Sequence, residues 1–245
     1  MSSGDEREAS NETFAEMARA LLAEADVQQT LQRIVDLAVE TIDGCDHAGI
    51  TFLKGKQVTT PAASDDVPRI VDTLQYETDE GPCLSAIREH EVFQTGDLGR
   101  EERWPEFSAR AQRETGVTSM LAFRLFVAGD TLGSLNLYSK GADAFDERSR
   151  TVGLVFAAHA AVALSTALHD EQMEEALQSR DLIGQAKGIL MAREGITADQ
   201  AFEMLRRASQ RLNVKLRDVA GEIVSPSQSP PSAPPAGAQG EDGGT

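Results

Sequence analysis

The chain has 245 residues, of which 26% are charged and 40% hydrophobic, and a net charge of -17. That length fits one ordinary domain plus a small one, and the acidic balance excludes a chain that coats nucleic acid through bulk positive charge. Its two cysteines, Cys45 and Cys83, have neither the spacing of a zinc site nor that of a disulfide framework.

Residues 1–11 are polar and expected to be disordered. No secretory signal is read at the start and no apolar run near ~18 residues further on. The expectation is therefore a cytoplasmic protein with reduced thiols and no membrane partner. A helix is predicted over 12–24 from Phe14, Met17, Ala18, Leu21 and Leu22. Asp26 with Gln29 caps the next, whose apolar face is Leu31, Ile34, Val35, Ala38, Val39 and Ile42. The period then changes to two, giving strands over 47–54 and 57–63. Short helices are predicted over 68–76 and 81–88, the second with proline at its first position. A strand-like stretch at 92–97 and a helix over 105–115 follow. Residues 119–127 and 131–139 alternate as a hairpin, and a long helix runs from Asp146 to about Glu175. An antiparallel sheet covered by helices is the α+β class.

The C-terminal part is helical by period. Leu182, Ile183, Ala186, Ile189 and Leu190 form one apolar face, yet the helix carries Gly184 and Gly188. Each glycine costs roughly 1 kcal/mol against alanine. At about 100° per residue, Arg180, Gly184, Lys187, Gly188 and Met191 share a stripe off the apolar face. That basic, side-chain-poor surface suits a phosphate backbone or a stacked base, and equally a second helix packed close. Gly195 can end the helix in a left-handed cap. Thr197 and Gln200 have the spacing of a capping box for a second helix that buries Ala201, Met204, Leu205 and Ala208. Phe202 is expected in the core. Asn213 is expected to cap a third helix with Leu216, Val219, Ala220, Ile223 and Val224 inside. The Pro-, Ser- and Gly-rich stretch 225–245 cannot bury a core and is expected to be disordered.

Gln185-Ala186-Lys187-Gly188-Ile189-Leu190-Met191, then Ala201-Phe202, Leu205-Arg206, Ser209 and Lys215-Leu216-Arg217-Asp218-Val219-Ala220 resemble an ANTAR domain over 179–224. The resemblance implies a small all-α three-helix RNA-binding module. It also implies transcription antitermination through binding of paired hairpins in nascent RNA. Asp79-Glu80-Gly81-Pro82-Cys83-Leu84, Arg103-Trp104-Pro105-Glu106-Phe107 and Leu132-Gly133-Ser134-Leu135-Asn136-Leu137-Tyr138-Ser139 resemble a GAF domain of the type joined to ANTAR in actinobacteria. That resemblance implies a small-molecule sensor or dimerisation module, any pocket lying between the sheet and residues 81–88. The organisation expected is a disordered 1–11, a GAF sensor over 12–168, a helical linker 169–178, an ANTAR domain 179–224 and a disordered tail 225–245.

The RNA-binding residues implied are Arg180, Gly184, Gln185, Lys187, Gly188, Arg193, Arg206, Ser209, Lys215 and Arg217. Residues 179–224 hold 8 Lys/Arg against 6 Asp/Glu, so +2, and the remainder 15 against 34, so -19. No catalytic constellation, metal ligand set or cofactor is expected, since His47, His90, His159 and His169 are scattered and Cys83 reads as a buried structural thiol. A homodimer is expected through residues 12–24 and the line of Val152, Val155, His159, Val162, Thr166, His169, Met173 and Ala176, which follow a 3-4 spacing; the alternative is that the same residues pack on the sheet and the first helices of their own chain. Two rival readings are a DNA-binding transcription factor, whose recognition helix would be the third, and a protein-interaction adaptor that receives a helix on the glycine face.

Overall fold

A computed structural model describes Glu16 and residues 19–21, 23–24, 26–54, 57–89, 92–128 and 130–225. Of the helix expected over 12–24, positions 16 and 19–21 are described and helical, with Leu21 buried. Ala23 and Glu24 are described but not helical, so the helix ends short of the expected 24; positions 12–15, 17, 18 and 22, the segment 1–11 and the tail beyond Ser225 lie outside the described residues. The chain divides into two compact units, Met1–Glu171 and Gln172–Thr245.

In the first unit β1 (His47–Lys54), β2 (Gln57–Ala63), β3 (Phe93–Thr95), β4 (Ser119–Val127) and β5 (Asp130–Ser139) form an antiparallel sheet. Its order is β2-β1-β5-β4-β3. Strand alternation sends the side chains to two different cores. Ile50, Leu121, Phe123, Leu125, Leu135 and Leu137 face α1 (Val27–Thr41) and the first part of α5 (Glu147–Glu194). Met120 and Tyr138 point the other way, into Val71 and Leu74 of α2 (Asp66–Thr78) and Phe107 and Ala111 of α4 (Pro105–Thr115). Helix α3 (Pro82–Glu89) buries Cys83, Leu84 and Ala86 beside β4. Burying a side chain the size of leucine or phenylalanine stabilises by about 1.5–3 kcal/mol, so a one-residue slip in β4 would exchange both cores at once. Asp26 caps α1 by accepting from the Gln29 N–H at 2.8 Å, and Asp146 caps α5 by accepting from Ser149 N–H at 2.8 Å.

Helix α5 departs from expectation in two ways. It runs 48 residues, to Glu194 rather than about Glu175. It also contains an 18-residue window of mean hydropathy 1.8, where no apolar run of that length was expected. Residues 151–168 carry no Asp, Glu, Lys or Arg. The physical reason lies in the packing, because Phe156, Ala157, Ala160, Ala161 and Leu164 are buried in the core against the sheet. Along the seam expected for a dimer, Val152 packs on that core, whereas Val162 and Met173 are exposed to more than half their surface.

The second unit is built by the later part of α5 with α6 (Ala198–Leu212) and α7 (Leu216–Val224) around Ala186, Leu205, Val219 and Ala220. Gly195 adopts φ 65° and donates its N–H to Met191 O at 3.1 Å, which closes α5. Thr197 and Gln200 make both bonds of the capping box. Two expectations fail here. Asn213 does not cap α7; it closes α6 in the left-handed region at φ 53°, and Lys215 opens α7 without a side-chain cap. Met204 and Phe202 are exposed rather than buried, because the three helices enclose only a narrow core between Leu205, Ala186 and Ala220.

Gly153 shows how tightly α5 meets the sheet, since a Cβ there would lie within van der Waals overlap of the buried Phe123 ring. Gly153→Ala gains up to about 1 kcal/mol of helix propensity and sacrifices more to overpacking, typically about 1–3 kcal/mol. The expected outcome in urea unfolding is a net loss of stability; a gain would show that the Phe123 ring moves aside.

Candidate nucleic-acid interface

The face of α5 within the second unit is set by two glycines. A Cβ built on Gly184 or on Gly188 meets nothing within 4 Å. Neither glycine is therefore needed for helix packing among the described residues. Lys187 lies between them on the same face as Arg180, two turns earlier. Ala176, Ser179, Arg180, Ile183, Gly184, Lys187 and Phe202 line a shallow open groove of about 540 Å³. Phe202 is 40% exposed, and Lys187 Nζ stands 5.9 Å from its ring centroid, at the outer reach of a cation–π contact. Phe202 is the functional candidate that sequence reasoning missed. Its position about 100° around α6 from buried Ala201 was the available signal.

The remaining residues implied by sequence are spread over several surfaces. Gln185 is exposed but lies about 160° around the helix from Lys187. Arg193 is exposed in the last turn of α5. Arg206 and Arg207 both bond Glu203, at 2.7 Å and 3.1 Å, and the Arg206 guanidinium holds the Glu203 carboxyl down at about 2. Ser209 donates to Val214 O at 2.6 Å, so its hydroxyl serves the turn between α6 and α7. Arg217 pairs with Glu175 at 3.4 Å and with Asp218 at 3.7 Å, while Lys215 is exposed. Among the described residues of this unit, Arg206, Arg207 and Arg217 are engaged in ion pairs. Among the described residues none involves Arg180, Lys187, Arg193 or Lys215.

In the first unit, the region between the sheet and α2–α3 holds a buried polar cluster. Asp72 is fully buried and accepts from Tyr138 at 2.6 Å, Thr60 at 2.8 Å, Thr51 at 3.1 Å and Gln75 Nε2 at 3.2 Å. Asn136 Nδ2 donates to Thr51 Oγ1 at 2.8 Å, and Gln75 Oε1 accepts from Cys83 N–H at 2.9 Å. Loss of water pushes the Asp72 carboxyl above the usual carboxylate range, against the pull of its hydroxyl donors. Burial likewise raises the Cys83 thiol, which keeps it protonated and unreactive. Trp104 is buried, donating to Ser85 Oγ at 3.2 Å with the Arg103 guanidinium 4.4 Å above its ring. Among the described residues no three His, Cys, Asp or Glu side chains gather as metal ligands.

Residues 24–165 match the GAF domain family and residues 171–224 the ANTAR domain family. The fold is similar to the GAF domain of a phosphoenolpyruvate-protein phosphotransferase from Acinetobacter, at 15% identity and TM-score 0.52, covering 69% of this chain and 97% of that one. It is similar to the GAF domain of a phosphoenolpyruvate-protein phosphotransferase from Coxiella burnetii, at 15% identity and TM-score 0.52, covering 66% and 96%. It is also similar to free methionine-R-sulfoxide reductase from Neisseria meningitidis in complex with its substrate, at 14% identity and TM-score 0.52, covering 69% and 96%. At such identities the likeness shows the fold alone. No curated protein matches the chain.

A carboxyl whose native pKa is raised binds its proton more tightly in the folded state. Its contribution to stability is then full below the ordinary aspartate value, about 3.9, and falls as pH rises toward the native value. In urea unfolding across a pH series, the stability of the native chain minus that of Asp72→Asn should decline with rising pH over that window. A difference that grows with pH would mean that Asp72 folds as a carboxylate held by its hydroxyl donors.

Proposed function

Because the chain belongs to the GAF domain family and carries an ANTAR domain after it, we propose that it binds paired RNA hairpins and thereby controls antitermination of transcription. The ANTAR domain makes it a transcription regulator of the RNA-binding antitermination class, and the GAF domain is the sensor half. The observation that carries the finer reading is the stripe of Arg180, Gly184, Lys187 and Gly188. Two cations without carboxylate partners among the described residues flank backbone that nothing covers. Phosphate contacts give affinity, and the absent side chains let an RNA loop approach. The net +2 of residues 179–224 within an otherwise acidic chain, -19 over the remainder, supports the same surface and disfavours indiscriminate binding.

In this reading a second copy of the chain completes the molecule. Val162, Met173 and Leu177 are exposed along α5, Val162 to 54%, and a homodimer through that helix would cover them while supplying two RNA modules for two hairpins. A DNA-reading third helix is disfavoured, because Arg217 at the start of α7 is engaged by Glu175 and Asp218. We place the regulator in the cytoplasm, where nascent transcripts would be its targets.

Lys187→Ala should weaken binding to hairpin RNA, flatten the salt dependence by roughly one unit for each phosphate no longer neutralised, and leave thermal melting nearly unchanged. Gly188→Ala should stabilise the helix by up to about 1 kcal/mol while weakening RNA binding. Fluorescence polarisation with RNA and with duplex DNA of matched length, beside circular-dichroism melts, reads both. Unchanged RNA affinity in both variants, or tighter binding to DNA, would remove this face from the proposal.

A further inference from the structure

We propose that Phe202 is a stacking platform for one unpaired base of the RNA loop, with Lys187 and Arg180 taking the phosphates beside it; this rests on the RNA reading above. The platform has three parts. Phe202 directly follows buried Ala201, so the backbone beneath it is fixed by core packing while 40% of the residue remains in solvent. Lys187 Nζ, 5.9 Å from the ring centroid, already occupies the region over the ring that a base would take. Gly184 lines the same groove with no side chain, leaving room for a planar group.

A nucleotide matches these parts together. Every base has a π face for the ring, and its phosphate gives the displaced ammonium a stronger partner than the ring quadrupole. A second copy of the chain fits this groove poorly, because an isologous contact would bring Arg180 and Lys187 against the same two cations. A partner helix would have to supply its own carboxylates to both.

RNA stem-loops with randomised loops, enriched on the full chain, supply the probe. Binding is then measured for the native chain, Phe202→Leu, Phe202→Tyr and Lys187→Ala, with loops carrying an abasic residue at each position in turn. Phe202→Leu keeps an apolar side chain and removes the π face, and should weaken binding about 5- to 150-fold, the range of one base–aromatic stack. Phe202→Tyr should retain binding. One abasic position should cost the native chain the same factor and cost Phe202→Leu nothing further. Native affinity in Phe202→Leu, or losses that multiply at every abasic position, overturns the platform. If Lys187→Ala alone weakens binding, the platform falls and the RNA face stands. If no RNA is enriched, or Lys187→Ala also binds as the native chain does, the RNA face falls with it. A change in sedimentation of Phe202→Leu would make the groove an interface between copies and also overturns the platform.

Discussion

One helix has to complete two hydrophobic cores. Within its 48 residues α5 buries Phe156, Ala160, Ala161 and Leu164 against a β-sheet, then Ala186 with Leu182, Ile183 and Leu190 against two short helices. Small residues make close packing possible, as Gly153 under the Phe123 ring shows most directly. Each core uses only part of the helix circumference. What is left over carries the consequences: exposed Val162, Met173 and Leu177, and the bare stripe of Arg180, Gly184, Lys187 and Gly188.

The three-helix unit is too small to hide all its apolar side chains. Its buried centre is Ala186, Leu205, Val219 and Ala220, and Phe202, Met204, Leu212 and Val214 remain in water. Exposed residues of this size forgo the stabilisation that burial would bring, about 1.5–3 kcal/mol for a phenylalanine or methionine. In the proposed mechanism Phe202 recovers part of it on a base. The charge distribution works alongside. In that mechanism the acidic remainder of the chain disfavours chance contact with nucleic acid, so recognition would depend on a matched loop rather than on bulk attraction.

Local signals were legible where one residue type has one use. Asp26 accepts from the Gln29 N–H, Thr197 with Gln200 made both bonds of a capping box, and Gly195 closed its helix. The alternation of 119–127 placed β4 with two different faces. Where one residue type has two uses, sequence could not choose. Asn213 suits an N-cap and a left-handed C-cap alike, and the backbone path selected the second. Phe202 and Met204 flank the buried Ala201–Leu205 stripe, where inside or outside depends on how many helices are available to cover them. The Asp72 cluster gathers Thr51, Thr60, Gln75, Asn136 and Tyr138 from four elements, and no spacing along the chain announces it.

In the proposed mechanism two linked modules engage two linked hairpins. The most direct measurement compares the affinity of the full chain for an RNA carrying both hairpins with that for the same RNA lacking one. Effective concentration predicts a gain of about 10²–10⁴ for the pair, provided both modules can engage at once. Equal affinity for one hairpin and for two would contradict the bivalent mechanism.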